Sequence, residues 1–169
     1  MRGPETRAIK TGVAGGGDGG EAEDAPPLRQ LLRGFIGLSG VYDIGAHLEH
    51  EQARGVAEIS PMTPACGGRA GFAAASPLHA ARALSERVAA GLPPTLLLHG
   101  AEDVTVGPAA SRAFAEALAA RGARARCVVL DGVGHADAVV DLMENGPAGG
   151  AAKAIVRFCT EHALQSARL

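Results

Sequence analysis

Two acids and a histidine in the second half of this chain have the types and spacing of a proton-transfer pair. Glu102 and Asp103 follow the apolar run Thr95-Leu96-Leu97-Leu98-His99-Gly100. His135 follows a second run, Cys127-Val128-Val129-Leu130, through the turn Asp131-Gly132-Val133-Gly134. An acid beside a histidine accepts one ring N–H, fixes the tautomer and stabilises the charged ring. The other ring nitrogen can then take a proton from a nucleophile. If the two runs are strands, both groups stand just past a C-terminal strand edge, where open parallel sheets gather their catalytic groups. Asp103 and His135 are 32 residues apart, room for one helix and one strand, so their turns should lie side by side. Glu102 is a rival for the role of the acid. The glycines around Val133 let the chain turn tightly and leave the imidazole exposed.

An acid followed by a histidine is the second half of a Ser…Asp…His order, and the serine should precede both in a G-x-S-x-G elbow. No such elbow occurs. Ser39, in Gly37-Leu38-Ser39-Gly40-Val41, comes nearest. Its fifth position is Val, and it leads into Tyr42-Asp43 and a proline-containing excursion, whereas an elbow serine opens straight into a helix. Ser60, Ser76, Ser85, Ser111 and Ser166 lack the strand–turn–helix context altogether. A His-Gly-Gly oxyanion segment is also missing. The expected site is therefore Asp103 and His135 without a nucleophile, a cofactor or a metal. His47 and His50, three apart beside Glu49 and Glu51, suggest a metal site only if a third ligand exists, and read better as a solvated helix face. His99 lies inside its strand and reads as structural; His79 and His162 read as surface residues.

The elements that must position the pair follow from hydrophobic periodicity and from glycine and proline punctuation. Residues 1–27 are glycine-rich and acidic with little to bury, and are expected to form a disordered leader. Residues 28–169 are expected to form one partial domain. Gly34 to Asp43 predicts a buried strand and its exit turn. Residues 44–78, with Gly55, Pro61, Pro64, Gly67-Gly68 and Pro77, predict short helical pieces and loops. Ala80 to Ala90 predicts a helix stopped by Gly91, and Thr95 to His99 a strand. Pro108 stands at a first helical position before a helix over Ala109 to Arg121, which Gly122 ends. Ala125 to Leu130 predicts a third strand, Asp137 to Met143 a short helix and Ala151 to Leu164 a terminal one. Strands alternating with helices imply an α/β fold with a parallel sheet. Three strands are few for such a sheet, and an open edge is an aggregation hazard.

Composition narrows the partners. The 169 residues carry a formal net charge of -2, so no global field draws the chain to nucleic acid or anionic lipid. Arg121, Arg124 and Arg126 form a modest cluster that reads as a helix end and a solvated strand start. Aromatic residues make up 3% with no Trp, which argues against base-stacking platforms. Three cysteines without metal spacing fit a reducing compartment, with Cys127 and Cys159 as small buried hydrophobes. No signal peptide and no run of about 20 apolar residues is present, so the chain is expected to be soluble.

Several segments together resemble a known family: Phe35 to Ile44, the Ser76-Pro77 pair, Leu92 to Gly100 with Asp103, and Gly134-His135-Ala136-Asp137. They resemble the C-terminal part of the α/β-hydrolase fold, in the esterase/lipase branch related to hormone-sensitive lipase. Gly37 to Tyr42 and the stretch from Arg54-Gly55 to Ser60-Pro61 point further, to the isoprenylcysteine α-carbonyl methylesterase-like proteins of plants and algae. The resemblance runs over residues 34–145. It implies that Asp103 is the triad acid, His135 the general base, Ser39 a structural serine and residues 44–78 part of a cap. It further implies a carboxylic ester substrate, a prenylcysteine methyl ester or another small ester, and association with endomembranes. The chain departs from the pattern in lacking the oxyanion segment, the elbow serine and the early strands, and in carrying Val106-Gly107-Pro108 where a Val-Pro pair is usual. It is therefore expected to lack the N-terminal half of the fold and to be inactive alone. Alternative readings are a non-catalytic remnant with a binding or regulatory role, or a truncated product.

Overall fold

The computed structural model describes residues 32–144 and 149–166; the expected leader over residues 1–27 lies outside them. Its framework is a parallel sheet of three strands, β1 (Phe35–Leu38), β2 (Thr95–Gly100) and β3 (Ala125–Leu130), in the order β1-β2-β3. Phe35 pairs with Thr95 and Thr95 with Ala125, and the register continues without a break to Gly100 opposite Leu130. The fold is α/β, as the alternation of strands and helices implied.

β2 is central, and its sequence explains why. A strand covered on both faces must be apolar on both, so it reads as a continuous run. Leu96, Leu97 and Leu98 are all completely buried. Leu96 and Leu98 join Ile36, Leu38, Val128 and Leu130 on one face, packed against Ala138 of helix α7 (Asp137–Glu144) and Ala151 and Phe158 of helix α8 (Gly150–Ser166). Leu97 points to the other face, towards Tyr42, Cys127, and Phe114 and Ala115 of helix α6 (Ala109–Ala120). Tyr42 folds back over the sheet and stacks on Phe114, ring centroids 4.6 Å apart. Its hydroxyl occupies the space a Cβ at residue 37 would need, which is why β1 carries Gly37 there. Burial, helped by the nearby Cys127, pushes the Tyr42 hydroxyl up to about 12, so it stays a neutral O–H.

Between β1 and β2 the chain makes the excursion of short pieces that its prolines and glycines predicted: α1 (Ile44–Ala53), α2 (Met62–Ala65), α3 (Phe72–Ala75), α4 (Pro77–Ala83) and α5 (Glu86–Ala90), with 3-10 turns at Ala57–Ile59 and Arg69–Gly71. Ile44, Leu48 and Phe72 form a small core of their own. Ser76 ties it together: its Oγ accepts the Ile44 N–H at 3.0 Å and donates to the Phe72 carbonyl at 2.7 Å. The helix expected over Ala80 to Ala90 is two helices. Leu84 is extended, and Ser85 caps α5 by accepting the Val88 N–H, the local bond that makes serine favour caps over helix interiors. Pro108 is the cap of α6 and not its first residue, and Gly122, at φ 87°, closes that helix as expected.

The expectation for Cys159 is corrected. The buried stripe of α8 runs through Ala151, Ala152 and Phe158, and Cys159, about 100° further round a helix of 3.6 residues per turn, is exposed. No helix among the described residues is long and apolar enough to cross a membrane.

Candidate functional site

The exits of β2 and β3 are laced together before any side chain is considered. Ala101 N–H donates to the Leu130 carbonyl at 2.9 Å, and Glu102 N–H to the Val133 carbonyl at 3.0 Å. A Cβ on residue 100 would collide with the Val133 carbonyl, so only glycine permits the two backbones this close. Gly132, at φ 70°, turns the β3 exit back towards β2. The Gly134 N–H then donates to Asp137 Oδ2 at 2.7 Å, which fixes the far side of the turn to the first residue of α7.

This lacing brings Asp103 to His135. Their side chains meet at 2.8 Å between Oδ2 and Nδ1. Asp103 is fully enclosed, with a side-chain exposure of 0%, whereas the His135 side chain is 43% exposed. Oδ1 of the acid accepts the N–H groups of Thr105 at 2.9 Å and Val106 at 2.8 Å. Burial by itself raises the Asp103 carboxyl. The Val106 N–H, the bond and charge of His135, and the Thr105 N–H more than offset it and hold the group below its ordinary value. An ionised Asp103 accepts, so His135 donates from Nδ1 and keeps its lone pair on Nε2. No described residue bonds to Nε2. The rival acid, Glu102, is exposed on the turn and takes no part.

Sequence reading undervalued His99. Its ring is completely buried in β2, with Nε2 3.1 Å from Asp103 Oδ2 and 2.7 Å from the Val106 carbonyl, and Nδ1 2.6 Å from Ser111 Oγ. Three N–H groups thus donate to the acid, those of Thr105, Val106 and His135, and the His99 ring, bonded to the Val106 carbonyl, lies close beside Oδ2. The i,i+4 spacing of His99 and Asp103 was visible in the sequence. That a strand end followed by a tight turn brings such a pair together was not, because the same spacing signals contact only on a helix.

His47 and His50 correct the expectation of a solvated face. The His47 side chain is only 8% exposed and lies 3.4 Å from Glu51, and His50 Nε2 lies 2.8 Å from the Val104 carbonyl at the edge of the acid's loop. Among the described residues no group of three His, Cys, Asp or Glu could hold a metal. His162, read from sequence as a surface residue, packs edge-on against Phe158 with ring centroids 4.7 Å apart.

The serines have other work. Ser39 ends β1 in a left-handed turn, at φ 46°, with a buried hydroxyl that has no partner among the described residues. Helix α1 begins only at Ile44, capped by Asp43, so Ser39 does not open into a helix. Ser76 pins the excursion, Ser85 caps α5, Ser60 accepts the Met62 N–H and Ser111 faces His99.

The chain matches curated proteins of one kind. It is 29% identical over 131 residues to a probable isoprenylcysteine alpha-carbonyl methylesterase of Arabidopsis thaliana, covering 76% of this chain and 27% of the relative. A probable isoprenylcysteine alpha-carbonyl methylesterase of Oryza sativa subsp. japonica is 32% identical over 106 residues, 63% of this chain and 25% of its own length. A second probable methylesterase of Arabidopsis thaliana is 34% identical over 107 residues, with the same coverage. The relationship is α/β-hydrolase-like and partial. This chain spans about a quarter of the length of the relatives it matches. No family model and no solved structure matches it.

Proposed function

We propose that this chain carries the acid and the base of a carboxylic ester hydrolase of the prenylcysteine methylesterase-like type, with Asp103 orienting His135 and His135 Nε2 acting as general base. The nucleophilic serine and the oxyanion donors have to come from sequence that this chain does not contain, so the chain alone does not hydrolyse esters. The single observation that supports this most is the 2.8 Å contact between a buried, ionised acid and a half-exposed histidine at the C-terminal edge of a parallel sheet. In the complete site His135 would take the serine proton as the hydroxyl attacks the ester carbonyl, then return it to the departing alkoxide. Residues 44–78 would form part of a cap. The partner is a small ester or a prenylcysteine methyl ester, and any association with endomembranes would belong to the complete protein.

The test is complementation. Joined to a segment carrying an elbow serine and an oxyanion loop, the chain should hydrolyse a prenylcysteine methyl ester, and Asp103→Asn and His135→Ala should each abolish most of that rate. Undiminished hydrolysis in both variants would sink the assignment of acid and base. Cleavage of short acyl esters with no cleavage of the prenylcysteine ester would retain the chemistry and discard the substrate.

A further inference from the structure

Asp103 Oδ2 is shared. His135 Nδ1 approaches it at 2.8 Å from the solvent side, and His99 Nε2 at 3.1 Å from inside the sheet. The other neighbour of His99 Nε2, the Val106 carbonyl at 2.7 Å, can only accept. With acceptors on both sides, the His99 proton has to sit on Nε2. Ser111 Oγ, 2.6 Å from Nδ1, then donates its hydroxyl proton into the ring. Ser111 donates into His99, His99 donates from Nε2 to the Val106 carbonyl with that N–H lying beside Oδ2 at 3.1 Å, and His135 donates to Oδ2 itself. Hydrogen bonds in such a row polarise one another, so the Ser111 hydroxyl makes His99 a better donor.

We infer that His99, oriented by Ser111, is a positioning residue that takes part of the charge on Asp103 Oδ2 and so sets how firmly the acid holds the proton of His135. The inference rests on the functional reading above and names a control within it. A base that holds its proton too firmly cannot serve as one near neutral pH, and the positive edge of a second N–H 3.1 Å from the same oxygen loosens that hold. The alternative role, holding the carboxylate in place, is already filled by the Thr105 and Val106 N–H groups on Oδ1. The other charged groups around the pair are Asp131 and Glu102 on the two exit turns, Asp137 at the start of α7, and His50 of α1 and Arg54 at its C-terminal cap, which reach the Val104 and Thr105 carbonyls. None of them touches Oδ2.

The experiment uses the whole chain and needs no catalytic turnover. Long-range ¹H–¹⁵N spectra report which nitrogen of each histidine carries the proton, and a pH series gives the titration of His135. In the wild-type chain His99 should carry its proton on Nε2; a bare Nε2 there would overturn the inference before any variant is made. Replacing His99 by leucine should make His135 hold its proton about threefold or more tightly, a shift to higher pH, because Oδ2 then loses the N–H dipole beside it and leaves more of its charge to His135. His99→Gln, whose amide can still donate at that position, should return His135 towards the wild-type titration. Ser111→Ala should shift it in the same direction as leucine by a smaller amount, and supplies the reading if His99→Leu does not fold. An unchanged His135 titration in the folded leucine or alanine variant, or a shift to lower pH, would overturn the inference. Asp103→Asn separates the two claims: if it leaves His135 titrating as in the wild type, the acid–base reading itself fails, whereas a shift there with no response to His99 or Ser111 defeats the present inference alone.

Discussion

The exits of β2 and β3 and the exit of β1 are built in opposite ways. Past β2 and β3, two turns are bonded to each other through Ala101 and Glu102, and the acid they hold has a partner for both oxygens. Past β1, Ser39 is strained at φ 46°, its hydroxyl has no partner among the described residues, and four residues separate it from the next helix. All three exits lie at the same sheet edge, so position at that edge is not enough to make a site. What distinguishes Asp103 and His135 is that the polar groups around them converge. Ser39 has burial without convergence, and is better read as the end of a strand than as a nucleophile.

The contrast can be broken most severely at Gly100. Gly100→Ala should cost about 3 kcal/mol, because the added methyl meets the Val133 backbone and not a side chain that could move. Chemical denaturation measures it, and a cost below about 1 kcal/mol would show that the two turns are not locked as described. Asp103→Asn comes next, at about 2 kcal/mol near neutral pH, since an amide offers one accepting oxygen where three N–H donors share two. The acid dependence of this difference has a defined sign. The folded Asp103 carboxyl lies below its ordinary value of 3.8, so its contribution is complete above 3.8 and is lost as the pH falls through the lowered folded value. Melting temperatures of the two proteins should therefore converge on acidification below that point; a gap that widens there would contradict the assignment.

Smaller changes sharpen the comparison. Ser39→Gly relieves the left-handed backbone and removes an unpartnered hydroxyl, and should gain about 0.5 kcal/mol in the same denaturation experiment. A clear loss would mean that the hydroxyl has a partner and that the β1 exit is more ordered than described. Gly107→Ala, on the acid's own loop, faces open space and should be neutral or gain about 0.5 kcal/mol, in opposition to Gly100→Ala seven residues earlier.

The three strands and the later helices were legible because each signal was local: the leucine run of β2, Pro108 before α6, Gly122 after it. The pairing of Asp103 with His135 was legible too, since two strand exits separated by one helix and one strand have to be neighbours in a parallel sheet. Three things were not. The break at Leu84-Ser85 depends on a cap winning over helix propensity in an alanine-rich stretch, a difference of about 1 kcal/mol that pattern alone does not resolve. The burial of His47 depends on the excursion folding back over α1, a long-range event. The role of His99 depends on the direction its ring takes from a central strand, which becomes visible only when Ser111 and Asp103 arrive from the same side.

The most direct test of the account is labelling with a fluorophosphonate, which reacts with serines activated by a neighbouring base. The chain alone should remain unlabelled. Joined to a segment that supplies an elbow serine, it should label at that serine, and His135→Ala should remove the label. Labelling of the isolated chain at Ser39, or labelling of the joined protein that survives His135→Ala, would contradict the claim that Asp103 and His135 are the acid and base of a divided hydrolase site.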